Sequence, residues 1–216
     1  MKPKQMMIYS CREFDELLLF QKFAAKYGFT FRYTTQKPTM DNIHLAEGCP
    51  YVNVITTPID RRLLEQLHRQ GCSYIVTRTI GYDHIDGEAA QEFGFRIANT
   101  PYAPDGVAEY TVMLMLMYIR KMRSIDRRFS AQDFTLNGLI GRELSEMTVG
   151  VLGTGRIGTR LIEILSGFGC RILAYSPYPN EKTAKYATYV SLDELCAQSD
   201  ILSLHAPSTT ETFHIW

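Results

Sequence analysis

The chain has 216 residues, 45% of them apolar and 21% charged, and its 23 basic and 23 acidic residues cancel to zero formal charge. That is the composition of an ordinary globular chain of one or two domains. It excludes the charge excess of a nucleic-acid or anionic-membrane binder.

Gln5 to Tyr9 reads as a first strand. Phe14 to Tyr27 has helical period, with Leu17, Leu18, Phe20, Phe23 and Ala24 apolar, and Gly28 ends it. Phe29 to Tyr33 alternates as a strand, Thr34 to Gly48 is polar and ambiguous, and Tyr51 to Ile55 is a strand. Asp60 caps a helix that runs through Gln70 and stops at Gly71. Ser73 to Thr77 is a strand, Ile85 to Phe93 a short helix ended by Gly94, and Phe95 to Ala98 a further strand. This β-α alternation predicts a parallel sheet with helices on its faces. The first unit closes near Asn99-Thr100-Pro101, giving domains over 1–100 and 101–216.

Gly106 to Met122 predicts one long helix, apolar on nearly all sides through Val107, Val112, Leu114, Leu116, Tyr118 and the interleaved Met113, Met115 and Met117. Such a helix is a core helix or, with methionine as adaptable packing, a dimer-interface helix. Val112 to Ile119 is the longest apolar run and falls well short of the ~20 residues of a membrane span. Lys121 to Leu144 reads as a polar, amphipathic crossover.

Thr148 to Pro177 carries the clearest chemistry. A short apolar run, Val149 to Leu152, leads into Gly153, Gly155 and Gly158 at G-x-G-x-x-G spacing. An amphipathic helix follows with Ile157, Leu161, Ile162 and Leu165 on one face, then Gly167-Phe168-Gly169 and a second apolar run, Ile172 to Tyr175. In this strand-turn-helix-strand context the pattern predicts dinucleotide binding. The first glycine permits the tight turn, the second lets the backbone approach a pyrophosphate, and the third lets the helix pack closely. The helix N-terminus offers free N–H groups to the phosphates. NAD-selective units place a carboxylate at the end of the second strand, ~20 residues past the glycines. Here that residue is Ser176, which neither engages both ribose hydroxyls nor repels a 2′-phosphate. Lys182 is a candidate for that phosphate, against the plainer reading of a solvated loop lysine. The cofactor is therefore NAD or NADP. Beyond Ser176, Tyr189-Val190 is a short strand, Ser191 and Glu194 form a capping box, and Ile201 to Leu204 is a strand ending in His205-Ala206-Pro207.

The five cysteines (Cys11, Cys49, Cys72, Cys170 and Cys196) form no C-x-x-C and predict free thiols in a reducing cytoplasm. The N-terminal MKPKQMMIYS lacks the apolar core and cleavage site of a signal peptide. No triad, zinc spacing or P-loop is present. His205, at a strand C-terminus where ligands bind in such sheets, is a candidate for the nicotinamide site, against a satisfied strand-end histidine. His84 reads as structural, and His44, His68 and His214 have no carboxylate at useful spacing. Arg78 adds positive potential but does not read as a catalytic arginine.

Four stretches together resemble the D-2-hydroxyacid dehydrogenase family, its D-lactate dehydrogenase branch and the vancomycin-resistance type within it. They are Arg78-Thr79-Ile80-Gly81-Tyr82-Asp83-His84-Ile85-Asp86, Asn99 through Glu109, the glycine segment, and Asp200 through Pro207. The resemblance implies an α/β fold of two doubly wound parallel-sheet domains: a flavodoxin-like substrate domain and a Rossmann nucleotide-binding domain, the latter incomplete. It implies an NAD(P)-dependent, cytoplasmic, homodimeric oxidoreductase that converts a 2-keto acid such as pyruvate into its D-2-hydroxy acid. It also implies roles for single residues. Ile80 and Gly81 hold the substrate carboxylate through backbone N–H groups, and Tyr102 lines the substrate pocket. Arg156 and Ile157 lie over the pyrophosphate, and Ala206, Pro207 and Thr212 contact the cofactor. Ser176 is similar to the serine of members that accept NADPH. The family's catalytic arginine, glutamate and histidine are implied to lie beyond Trp216, so no catalytic residue is named within the chain. The alternative is a short, non-catalytic dinucleotide- or protein-binding module. Against it, Ile201 to Leu204 would then be an apolar sheet edge without protective charge or proline. A glycerate- or formate-type member is disfavoured by Tyr102.

Overall fold

The computed structural model describes residues 4–209, Thr212 and Ile215; His214 and Trp216 lie outside the described residues. The chain divides into two compact units, Met1–Tyr102 and Ala103–Trp216.

The first unit is built from β1 (Lys4–Ile8), α1 (Leu17–Tyr27), β2 (Phe29–Tyr33), β3 (Tyr51–Val54), α2 (Arg61–Arg69), β4 (Tyr74–Thr77), α3 (Gly87–Glu92) and β5 (Arg96–Ala98). Its sheet is parallel throughout, in the order β2-β1-β3-β4-β5. That is the flavodoxin-like order, with the topological switch between β1 and β3. Sequence-local devices set the helix ends. The Asp60 side chain accepts from Leu63 N–H and the Asp86 side chain from Ala89 N–H. Gly28 closes α1 in the left-handed conformation (φ 68°), its N–H donating to Ala24 O. Residue Ile85 lies outside α3 and bridges to Ile59 instead. Val52, Val54, Leu64, Leu67 and Ile75 are fully buried in one cluster. By contrast, no residue of α1 is buried, although its sequence is amphipathic.

The second unit comprises α4 (Asp105–Ile119), α5 (Met122–Ser130), β6 (Thr148–Leu152), α6 (Arg156–Ser166), β7 (Arg171–Tyr175), α7 (Glu181–Ala184), β8 (Thr188–Tyr189), α8 (Leu192–Gln198) and β9 (Ile201–Leu204). Its parallel sheet runs β8-β7-β6-β9. Seen from its first strand this is the 3-2-1-4 portion of the Rossmann order, and the switch falls between β6 and β9. Val149 and Val151 face α6, whose Leu161, Ile162 and Leu165 are wholly buried, while Leu152, Leu173 and Leu195 form a second cluster. Layers on both faces explain why β6 and β7 read as continuous apolar runs. Each fully buried α6 side chain contributes about 2 kcal/mol of burial free energy.

The long helix expected over 106–122 is corrected in two respects. It ends at Ile119, and Lys121 turns the chain with a positive φ of 55° into the separate helix α5. It is also not buried all round. Ala108, Val112, Met115 and Ile119, at helical spacing, are buried against α6, while Tyr110, Met113, Leu114, Met117 and Tyr118 are exposed.

Candidate functional site

Gly153, Thr154 and Gly155 connect β6 to α6 at the switch point of the second sheet. Gly153 has φ 92°, which disfavours any other residue. A Cβ there would also lie 2.6 Å from Ala206 N and 2.7 Å from the His205 carbonyl carbon. The chain leaving β9 thus rests directly on the turn. A Cβ on Gly158 would stand 1.9 Å from Gly153 O, so the third glycine is required for the helix to meet its own turn. Gly155 differs: it has an ordinary φ of −68°, and nothing lies within 4 Å of the Cβ it lacks. No side chain caps α6, and the N–H groups of Arg156, Ile157 and Gly158 have no acceptor among the described residues. Free donors at a helix N-terminus, beside open space, form an anion site.

Thr154, between the glycines, is anchored by residues that the spacing does not point to. Tyr189 donates to Thr154 Oγ1 at 2.9 Å, while Asn180 Nδ2 and Thr159 Oγ1 each donate to Thr154 O at 3.0 Å. Asn180 also caps the single turn α7 by accepting from Thr183 N–H. The Asn180-to-Thr183 spacing is the one sequence signal for this turn. Ser176 follows β7 directly, and its hydroxyl pairs with the backbone of Tyr178. Lys182 is held 2.6 Å from Glu163 Oε1, and Arg160 bridges Glu163 to Asp105. These cations hold the Glu163 carboxyl below its ordinary range. Lys182 thus lies in α7 rather than on a loop, and its ammonium is paired with Glu163 of α6.

His205 is anchored by its backbone N–H to Leu152 O at 2.7 Å and by Nε2 to Ser203 Oγ at 2.8 Å. Burial lowers its pKa, so it is neutral at neutral pH. Thr212 closes a small loop with Pro207: its hydroxyl donates to Pro207 O at 2.5 Å. Gly153, His205 and Ala206 are therefore brought together, as are Gly155, Arg156, Ile157 and Gly158.

In the first unit, Thr79, Ile80 and Gly81 leave the C-terminal end of β4. Their carbonyls are all tied back: Thr79 O accepts from Thr100 N–H at 3.1 Å, Ile80 O from Asn99 Nδ2 at 2.7 Å, and Gly81 O from the Thr79 hydroxyl at 2.5 Å. The N–H groups of Ile80 and Gly81 have no acceptor among the described residues. A loop with its acceptors consumed and two donors free is polarised towards an anion. Tyr102 is half-exposed, its backbone N–H turned to Thr100 O.

Arg78 is not part of that donor set. Its guanidinium donates to Glu16 Oε1 (3.0 Å), Asn53 Oδ1, Tyr9 O (3.1 Å) and Ser10 O (2.8 Å). With Arg78 only 12% and Glu16 only 11% exposed, this is a structural ion pair stitching the ends of β1, β3 and β4 to α1. No histidine is hydrogen-bonded to a carboxylate among the described residues. Nor do they include a helix long and apolar enough to cross a membrane.

Comparison with known proteins places this geometry. Residues 112–216 match the family model for the D-isomer specific 2-hydroxyacid dehydrogenase NAD binding domain. The chain is 40% identical over 208 residues to an aromatic 2-oxoacid reductase of Clostridium sporogenes, covering 95% of this chain and 63% of that protein. It is 40% identical over 212 residues to a D-specific alpha-keto acid dehydrogenase of Enterococcus faecium, covering 96% and 63%. The apo-structure of D-lactate dehydrogenase from Escherichia coli superposes with a TM-score of 0.83 at 33% identity, covering 98% of this chain and 67% of that one. The chain thus spans 63% of the length of the two curated relatives. With both sheets, the glycine turn and these likenesses in agreement, the chain belongs to the D-isomer specific 2-hydroxyacid dehydrogenase family.

Proposed function

We propose that the whole protein reduces a 2-keto acid, pyruvate or a similar one, to its D-2-hydroxy acid with NADH or NADPH. The two units divide the work between substrate and cofactor. The observation that carries this is the contrast within the glycine turn. Gly153 and Gly158 are required by the protein's own packing, whereas the space at Gly155, in front of uncapped N–H groups, is left for a ligand. In this reading Gly153, Gly155, Arg156, Ile157 and Gly158 hold the pyrophosphate, and Ser176 meets the adenosine ribose. His205, Ala206, Pro207 and Thr212 line the nicotinamide side. Ile80 and Gly81 bind the substrate carboxylate through their free N–H groups, and Tyr102 lines the substrate pocket. The bound dinucleotide supplies the hydride. The residues of this chain fix the reactants, which lowers the barrier by orientation. Proton delivery needs a histidine kept protonated by a carboxylate. The family resemblance puts that histidine and its glutamate beyond Trp216, and the proton donor is assigned there. The exposed side of α4, with Tyr110, Met113, Leu114 and Met117, suits a homodimer contact. Cytoplasmic residence fits the free thiols.

The test is titration of NADH and NADPH into the 216-residue chain, followed by assay with pyruvate. Saturable binding of the dinucleotide without turnover is the expected outcome. Absence of binding contradicts the cofactor assignment, and turnover contradicts the placement of the proton donor.

A further inference from the structure

Beneath the carboxylate loop lies a chain of hydroxyl contacts. Thr77, the last residue of β4, is wholly buried. Its Oγ1 has three neighbours: Ile55 O at 3.1 Å, Thr79 Oγ1 at 2.6 Å and His84 Nε2 at 3.2 Å. Thr79 Oγ1 also reaches Gly81 O at 2.5 Å. Proton counting gives this chain a direction. Each hydroxyl has one proton to donate, and neutral imidazole carries one proton on either nitrogen. If Thr79 donates to Gly81 O, the 2.6 Å Thr77–Thr79 contact requires Thr77 to give its one proton to Thr79 in place of Ile55 O, which can only accept and lies farther off at 3.1 Å. Thr77 then has no proton left for His84, so Nε2 must carry one and donate it. With the proton on Nδ1 instead, Nε2 has to accept from Thr77. Thr79 must then turn to Thr77, and Gly81 O loses its donor.

We propose that His84, as its Nε2–H tautomer, is a positioning residue for the substrate-carboxylate loop. It anchors the relay through Thr77 and Thr79 that holds the Gly81 carbonyl, and with it the Gly81–Tyr82 peptide that closes the loop carrying the Ile80 and Gly81 N–H groups. The role rests on the carboxylate reading of this loop given above. The position of His84 is itself fixed from the other side, because His84 O accepts from Ile59 N–H at 2.7 Å. Burial lowers the His84 pKa, with the neighbouring Asp83 acting in the opposite sense. The ring is therefore neutral at neutral pH, the state in which the tautomer matters.

The experiment is nuclear magnetic resonance on the ¹⁵N-labelled 216-residue chain, with His84→Gln and His84→Leu beside it. Glutamine keeps an N–H donor near the Nε2 position and leucine does not. The expected result is an Nε2–H signature for His84 and displaced Ile80 and Gly81 amide resonances in His84→Leu. In His84→Gln these resonances return towards their original positions. Pyruvate, added as the probe, should shift the same two amides, with affinity about fivefold weaker in the leucine variant, the worth of one hydrogen bond. An Nδ1–H tautomer overturns the proposal. So does a leucine variant with unmoved amides, or a glutamine variant no different from leucine. If His84→Leu does not fold, Thr79→Val cuts the relay at a half-buried position and should displace the same resonances. Unmoved resonances in that variant also overturn it. Wild-type amides that ignore pyruvate while the relay signature is present contradict the substrate reading alone.

Discussion

Two turns in this chain leave backbone N–H groups without an acceptor among the described residues, and they are built by opposite means. The turn after β6 is made by what its residues lack. Side chains at Gly153 and Gly158 would collide with backbone atoms 2.6 and 1.9 Å away, and at Gly155 the missing side chain leaves open space. The loop after β4 is made by what its neighbours add. Asn99, Thr100 and Thr79 consume its three carbonyls and leave the donors facing out. The first device is steric and local. The second is a hydrogen-bond arrangement assembled from residues up to 21 positions apart.

The comparison can be broken most sharply at Gly158. Gly158→Ala drives a methyl into a backbone oxygen that cannot yield. It should destabilise the protein by about 3 kcal/mol or more, at the top of the overpacking range, read as a lower urea midpoint. Removing the Arg78 charge tests whether the loop after β4 depends on the framework under it. Arg78→Met leaves the buried Glu16 with only the half-exposed Arg12 as ionic partner and should cost about 3 kcal/mol, the low end for breaking a buried pair. Adding Glu16→Leu should recover much of that loss in the same urea titration. A smaller effect is expected at Ser176. Ser176→Asp should shift the ratio of NADH to NADPH affinity about tenfold towards NADH, roughly 1.4 kcal/mol, by repelling a 2′-phosphate. An unchanged ratio removes Ser176 from the ribose site.

The smallest effect is with pH. Burial holds His84 and His205 below the ordinary value of 6.5. The unfolded chain therefore takes up protons at these positions first, and their contribution is fully present above 6.5 and lost as pH falls through the folded values. Thermal midpoints should drop between about pH 7.5 and about pH 5.5, and less so in a His84→Gln, His205→Gln double variant.

The difference between the two turns also decides what could be read in advance. Glycine spacing between a strand and an amphipathic helix is visible in the sequence because each glycine answers a local steric need. The capping residues Asp60 and Ser191 and the stop at Gly28 are visible for the same reason. The loop after β4 has no such signature, since its ties come from Asn99 and Thr100 across β5; family resemblance, not spacing, pointed to Ile80 and Gly81. Thr154 carries no such signal, because Tyr189 and Asn180 meet it only in three dimensions. The end of α4 was illegible because Lys121 turns the chain with a left-handed φ and without a glycine or proline. A helix with methionine or leucine on every side also gives no sign of which face is buried. There the packing against α6 decided between Val112 and Met113.

The most direct measurement of the central claim is NADH affinity set against stability for Gly155→Ala. The conformation at Gly155 is open to alanine, and the space beside it is unoccupied by the protein. Stability should therefore change by no more than about 1 kcal/mol, the scale of an N-cap substitution. Affinity for NADH should fall by at least about tenfold, because the methyl stands where the pyrophosphate approaches. Unchanged affinity in a stably folded Gly155→Ala variant would contradict the claim that this space is kept for a dinucleotide.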